Sequence, residues 1–184
     1  GLIVLAEDKT IDASQRRRTL EILLKIPEHA KKAAEGLIVL AAETIDASEK
    51  SQIWEILLEI SEHAKEAVER LIALAADETV DASQRRQTWE ILLKKQEYAK
   101  KAIAELISRA EDEGINAYQR IQACEILLEM PEHAKKAKLR IIACVNNKSV
   151  DISQMTHVLK TLLQIPEDAS SLTQNLTALG ENKS

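Results

Sequence analysis

Phenylalanine is absent from these 184 residues, and tryptophan and tyrosine number only two each. The core must therefore be aliphatic, built from Leu, Ile, Val and Ala. Glycine (4) and proline (3) are scarce, which leaves few turn formers and excludes collagenous or Pro/Gly-rich disordered classes. The only cysteines are Cys124 and Cys144, too few for a disulfide framework. In a helix hairpin turning near Pro131 they would lie about 10 Å and about 20 Å from the turn at ~1.5 Å rise per residue. They are not level, so no bridge between them is expected. No apolar run approaches the ~18 residues that cross a bilayer, and no signal-peptide pattern is present. A reduced, cytoplasmic (intracellular) protein with no membrane partner is expected. The sequons at Asn147, Asn175 and Asn182 matter only if the chain is secreted. What the chain does have is charge, 30% of residues with a net of −5, and 45% hydrophobic residues. That is enough for a sizeable core.

It also repeats itself. The stretch IPEHAKKAAEGLIVLAAETIDAS, Ile26 to Ser48, recurs in altered form from Ile60, Lys95 and Met130. Aligned on Asp12, Asp46, Asp81, Asn116 and Asp151, the intervals are 34, 35, 35 and 35 residues. The pairs Leu23-Leu24, Leu57-Leu58, Leu92-Leu93, Leu127-Leu128 and Leu162-Leu163 keep the same intervals. The one missing residue falls near Glu43-Thr44, where a loop would absorb it. A fixed period of this size means a repeat array.

Each repeat reads as two helices, A and B. Helix A opens on an Asp or Asn cap with Gln or Glu three residues later (Asp12/Gln15, Asp46/Glu49, Asp81/Gln84, Asn116/Gln119, Asp151/Gln154), as in a capping box. Ala13, Leu20, Leu23 and Leu24 then fall on one face. Helix B opens at Pro27, or its equivalents Ser61, Gln96, Pro131 and Pro166. Proline suits a first helical position, and the Glu that always follows suits a helix N-terminus. The expected apolar face of helix B is Ala30, Ala33, Ala34, Leu37, Ile38 and Ala41. This predicts a partial helix over 1–9 and hairpins over 12–43, 46–78, 81–113, 116–147 and 151–179. Residues 1–8 match the second half of a helix B, so further repeats are expected upstream. The last hairpin is polar, as a terminal capping repeat would be.

The stretch GLIVLAAETIDASEKSQIWEILLEI resembles the core of HEAT and armadillo-like repeats, through Asp46, Lys50 and Leu57-Leu58, and again through Asp81, Arg85 and Leu92-Leu93. The 35-residue period is shorter than those families prefer, and Gln15, Glu49 or Gln84 stands where they place Val. The resemblance extends to the α-solenoid superfamily and to no named subfamily. It implies an all-α fold: a right-handed α-solenoid of five stacked antiparallel hairpins plus the partial N-terminal helix, in one domain over 1–184. Such solenoids are mostly protein-binding scaffolds.

Several columns are candidates for function. Arg16, Lys50, Arg85 and Arg120 recur in the first turns of the A helices. They are either a ribbon for an acidic peptide or phosphates, or a ladder of ion pairs between repeats with apolar stems over the core. Arg17 and Arg86 add charge, offset by Glu21 and Glu90 four residues on. Lys32, Lys101 and Lys136 lie on the solvent side of helix B, where they line a groove or are simply solvated. His29, His63 and His133 share a column with Tyr98. Neighbouring helices are ~8–10 Å apart, too far for one zinc ion, so no metal and no cofactor is expected. Trp54 and Trp89 share a column with Leu20, Cys124 and Leu159 and are expected in the core. Two outward columns of helix B change character along the chain: Glu35, Glu69, Ala104, Leu139, and Val39, Ala73, Ser108, Ala143. An exposed Leu139 would mark an interaction spot.

No nucleophile elbow, phosphate loop or metalloprotease motif occurs. The chain is therefore expected to be no enzyme but a scaffold for a protein or peptide partner. The alternative is a nucleic-acid binder that tracks phosphates with its Arg/Lys columns. Net charge −5 and few aromatics for stacking weigh against it. Leu2, Ile3 and Leu5 form an apolar end that would support end-to-end self-association.

Overall fold

The computed structural model describes residues 2–146, 150 and 152–163. Among them all regular structure is helical, in ten helices: α1 Leu2–Glu7, α2 Ala13–Leu24, α3 Pro27–Glu43, α4 Ala47–Leu58, α5 Ala64–Ala76, α6 Ala82–Lys94, α7 Gln96–Glu111, α8 Ala117–Leu128, α9 Pro131–Asn146 and α10 Ile152–Leu163. The even helices are the A helices of the repeat and the odd ones its B helices. The remainder of the last hairpin, with Asp151 and Pro166, lies outside the described residues, as do the three sequon asparagines.

The helix starts are local chemistry. Asp12, Asp46 and Asn116 each accept a hydrogen bond from the backbone N–H three residues on, at Gln15, Glu49 and Gln119. Asp81 accepts from both Ser83 and Gln84. Each bond satisfies a donor that has no partner inside the helix. The return half of the capping box is not made at Gln119, whose Oε1 is buried with no partner. Pro27 and Pro131 begin α3 and α9. Ser61 does not begin α5, which starts three residues later at Ala64. Residues 61–63 instead form a turn in which the Ile60 carbonyl accepts from the N–H groups of His63 and Ala64. A serine does not preset φ as proline does, although Gln96, equally without that ring, begins α7.

The chain forms two compact units that divide within α7, Gly1–Ala102 and Ile103–Ser184. In the first, consecutive helices pack on one another from α1 to α6, and the A helices α2, α4 and α6 also touch in turn. In the second, α8 packs on α9, and α10 rests on both. The cores are aliphatic as composition requires: Leu37, Ile53, Leu57, Leu71 and Leu92 are fully buried in the first unit, and Leu106, Ile121, Ile141 and Val158 in the second. Trp54 and Trp89 are core residues as well, 7% and 3% exposed. The short link sits where the repeat lost its residue: 44–46 join α3 to α4, whereas 77–81 join α5 to α6. This shorter link leaves Ile45 95% exposed.

Cys124 and Cys144 are buried free thiols of the second unit. Burial, and then the charge of Cys144, push the Cys124 thiol up to about 12.

Candidate functional site

The basic columns first show what is already occupied. Arg16 is buried: its Nε donates to the Ala6 carbonyl at 3.1 Å and Nη1 to Glu43 at 3.2 Å. Ala6 lies in the last turn of α1, where carbonyls have no intrahelical partner, so Arg16 caps that helix from the next one. Arg85 does the same for α5, its Nη1 donating to the Asp77 carbonyl at 3.4 Å. Lys50 adds its charge to that of Arg85 beside Asp77. That carboxyl is held below its ordinary range chiefly by hydrogen bonds from Thr79. Arg120 differs, because its Nε is buried without a partner.

Arg17 does not project as exposed charge. Its side chain is 13% exposed and reaches Glu49 of α4 at 2.6 Å and Glu21 at 3.8 Å. The core needs A helices close together, and that closeness places Arg17 against the neighbouring repeat's acid. Arg86 pairs with Glu90 at 3.3 Å along its own helix. Lys32 and Lys136 are exposed and pair with Glu7 and Glu111, both at 2.8 Å. Lys101 is exposed on α7.

The outward columns of the B helices are open to solvent throughout. Glu35, Glu69, Ala104 and Leu139 are exposed, as are Val39, Ala73, Ser108 and Ala143. Among them the large apolar side chains are Val39 (53% exposed) and Leu139 (60%). Leu2, Val4 and Leu5 of α1 are also exposed, whereas Ile3 is half-buried.

Beside Val39 lies a groove of about 360 Å³ between α1, α2 and α3. Ile3, Ala6, Leu20, Leu23, Ala33 and Val39 give it apolar walls, and Glu7, Lys9, Lys32, Glu35 and Glu43 stand at its rim. Its volume is at the lower end of ligand-binding clefts, roughly 300–1,000 Å³. The floor depends on Gly36, in the middle of α3. Glycine there weakens a helix by about 1 kcal/mol relative to alanine. A Cβ at that position would stand 2.8 Å from Cδ2 of Leu20. Gly36 thus lets Leu20 pack where a side chain would otherwise begin.

The repeat supplies two more versions of this groove. Between α3, α4 and α5 it measures about 300 Å³, and there Arg70 and Glu66 replace Gly36 and Lys32. The Arg70 guanidinium lies 5.9 Å over the Trp54 ring and pairs with Glu66 at 3.2 Å. In the second unit, Ile107, Ala110, Glu111, Leu127, His133, Lys136, Ala137 and Arg140 line the equivalent of the first groove. Only about 20 Å³ remains there. Arg140, which stands in the Gly36 column, fills it. It donates to the Ala110 carbonyl through Nη1 and bonds the Glu111 carboxylate through Nη2. Lys136, and then the charge of Arg140, hold Glu111 below its ordinary range.

No cluster of three or more His, Cys, Asp or Glu that could hold a metal occurs among the described residues. No helix among them is long and apolar enough to cross a membrane. No protein-family model, no curated protein and no solved structure matches the chain.

Proposed function

We propose that the chain is a non-enzymatic protein-interaction module, a right-handed α-solenoid whose B helices carry the partner-binding face. The observation that carries this reading is the recurrent groove beside an exposed, variable B-helix column. The frame repeats, while the residues at its surface change from Glu35 to Leu139 and from Gly36 to Arg140. A constant scaffold with changing surface positions is how repeat arrays set specificity. Val39 and Leu139 are the apolar anchors, with Lys32, Lys101 and Lys136 as charged rim residues. The exposed Leu2 and Leu5, with the neighbouring Ile3, form a second apolar face through which two copies associate end to end.

Tracking of a phosphate backbone gains little from Arg16 and Arg17 of the A helices. Arg16 and Arg17 hold neighbouring helices together, so they offer little positive charge outward.

The test is capture from a nuclease-treated lysate and an untreated one. The baits are wild type, a Val39→Glu/Leu139→Glu variant, and a Lys50→Glu/Arg86→Glu variant, each verified as folded by its helical spectrum. A discrete protein bound by wild type and the third bait but lost with the second is expected. Binding that vanishes only with nuclease would move the chain to the nucleic-acid class.

A further inference from the structure

The first groove and the filled groove of the second unit occupy the same place in the repeat, and Gly36 stands in the first where Arg140 stands in the second. Ala6, Glu7, Lys32 and Gly36 occupy the columns of Ala110, Glu111, Lys136 and Arg140. In the second unit, one carboxylate, Glu111, serves two cations, Lys136 and Arg140. In the first, Glu7 pairs with Lys32 and with no second cation among the described residues. Glu35 also faces this groove and has no ion pair among the described residues. The Ala6 carbonyl accepts from Arg16 and keeps a second lone pair. Aliphatic walls lead to these acceptors, as they do around the stem of Arg140. The Leu20 column differs as well: Cys124 stands near Arg140 in the second unit, whereas Leu20 packs over Gly36.

We infer that the groove between α1, α2 and α3 is a socket for an arginine side chain presented by a partner protein. The visiting stem lies against Leu20, Leu23 and Val39, and its guanidinium bonds the Glu7 carboxylate and the Ala6 carbonyl. It takes the place that Arg140 fills from within its own helix. Arginine suits this better than lysine, because its planar fork reaches two acceptors at once. The inference rests on the reading of the chain as a protein-interaction module, whose own test uses natural partners and does not depend on this peptide chemistry.

The probe is a capped, leucine-flanked peptide with a single arginine, titrated into the full chain with ¹³C-labelled Ile, Leu and Val methyls. Its control carries citrulline, which keeps the shape and removes the charge. Saturable shifts are expected at Ile3, Leu20, Leu23 and Val39, with Ile126 and Val158 of the second unit unmoved. Affinity should fall at least tenfold with citrulline and at least tenfold in Glu7→Gln. A Leu20→Cys/Gly36→Arg variant, which transplants the second unit's own pair, should abolish the shifts. Glu7→Gln changes only a surface carboxylate and keeps the test decisive if that double variant does not fold. Equal binding of arginine and citrulline peptides would make the groove merely apolar and overturn the inference. So would shifts spread over both units, or none at millimolar peptide. If a natural partner still binds through Val39 while the peptide fails, the module reading stands and the arginine socket falls. If neither binds, both fall.

Discussion

Replacing Arg16 by methionine removes its hydrogen bonds while keeping most of its apolar stem. The loss should be large for a residue in a column that reads from sequence as either a cationic ribbon or an ion-pair ladder. The Nε–Ala6 bond is charge-assisted and made by a side chain only 10% exposed. Such bonds contribute about 1.5–3 kcal/mol, and their loss leaves the carbonyl short of a partner. The Glu43 pair adds little, because solvent screens that partly exposed carboxylate. The expected destabilisation is thus about 2 kcal/mol. For a unit of this size, roughly 4–8 °C of melting temperature follows each kcal/mol. Urea unfolding of Arg16→Met and of the exposed-site control Arg18→Met measures the difference directly. The control should stay within about 0.5 kcal/mol of wild type. A loss of α1 packing should also appear as faster amide exchange over residues 2–7. If Arg16→Met is as mild as Arg18→Met, Arg16 is not a structural cap and the assignment of its column is wrong.

Four further outcomes follow from the same contacts. Glu43 is held below its ordinary value of 4.5, first by the hydrogen bond from Lys9 and then by that from Arg16. A depressed carboxyl stabilises the fold above its unfolded value and loses that contribution as pH falls through its lower folded value. Glu43→Gln should therefore flatten the decline in urea midpoint below about pH 4.5, and an unchanged pH slope would contradict the pairing. Asp46→Ala removes the cap of α4 and should cost about 1 kcal/mol, read by thermal melting; Asp46→Asn should restore most of it. With its pKa near 12, the Cys124 thiolate fraction at pH 8 is about 10⁻⁴, so its labelling by a disulfide reagent should await unfolding. Fast labelling in the native state would refute its burial. Sedimentation at rising concentration should show association that Leu2→Glu/Leu5→Glu abolishes; a strictly monomeric wild type would remove the end-to-end contact.

The parts of this fold that were legible are those fixed by local chemistry. Asp12, Asp46, Asp81 and Asn116 cap their helices because a short acceptor three residues before a backbone N–H needs no tertiary context. The aliphatic faces were readable from period alone, and Leu20, Leu23, Ala33, Ala34, Leu37 and Ala41 are buried accordingly. The exposure of Leu139 and Ala143 was legible for the same reason. Less accessible were the effects of neighbours. The column of Arg16 and Arg85 looked like a ribbon or an ion-pair ladder; Arg16 does pair with Glu43, and both also bond carbonyls at the end of the preceding helix. Those carbonyls carry no sequence signal, because every residue has one. Arg17 looked exposed until α4 placed Glu49 beside it. The first groove was missed because it forms only where three helices meet, and Gly36 leaves its floor to Leu20. Its signal was present nonetheless in the column Gly36, Arg70, Glu105, Arg140. A glycine inside a helix, with long side chains at the equivalent positions of the later repeats, is costly enough to need a reason.

The most direct test of the account is hydrogen–deuterium exchange of the chain, free and bound to the partner isolated by capture. Protection concentrated in the B helices, strongest over residues 27–43 and 131–143, is the predicted result. Protection confined to the first turns of the A helices, with the B helices unchanged, would contradict the central claim that the B-helix grooves are the binding face.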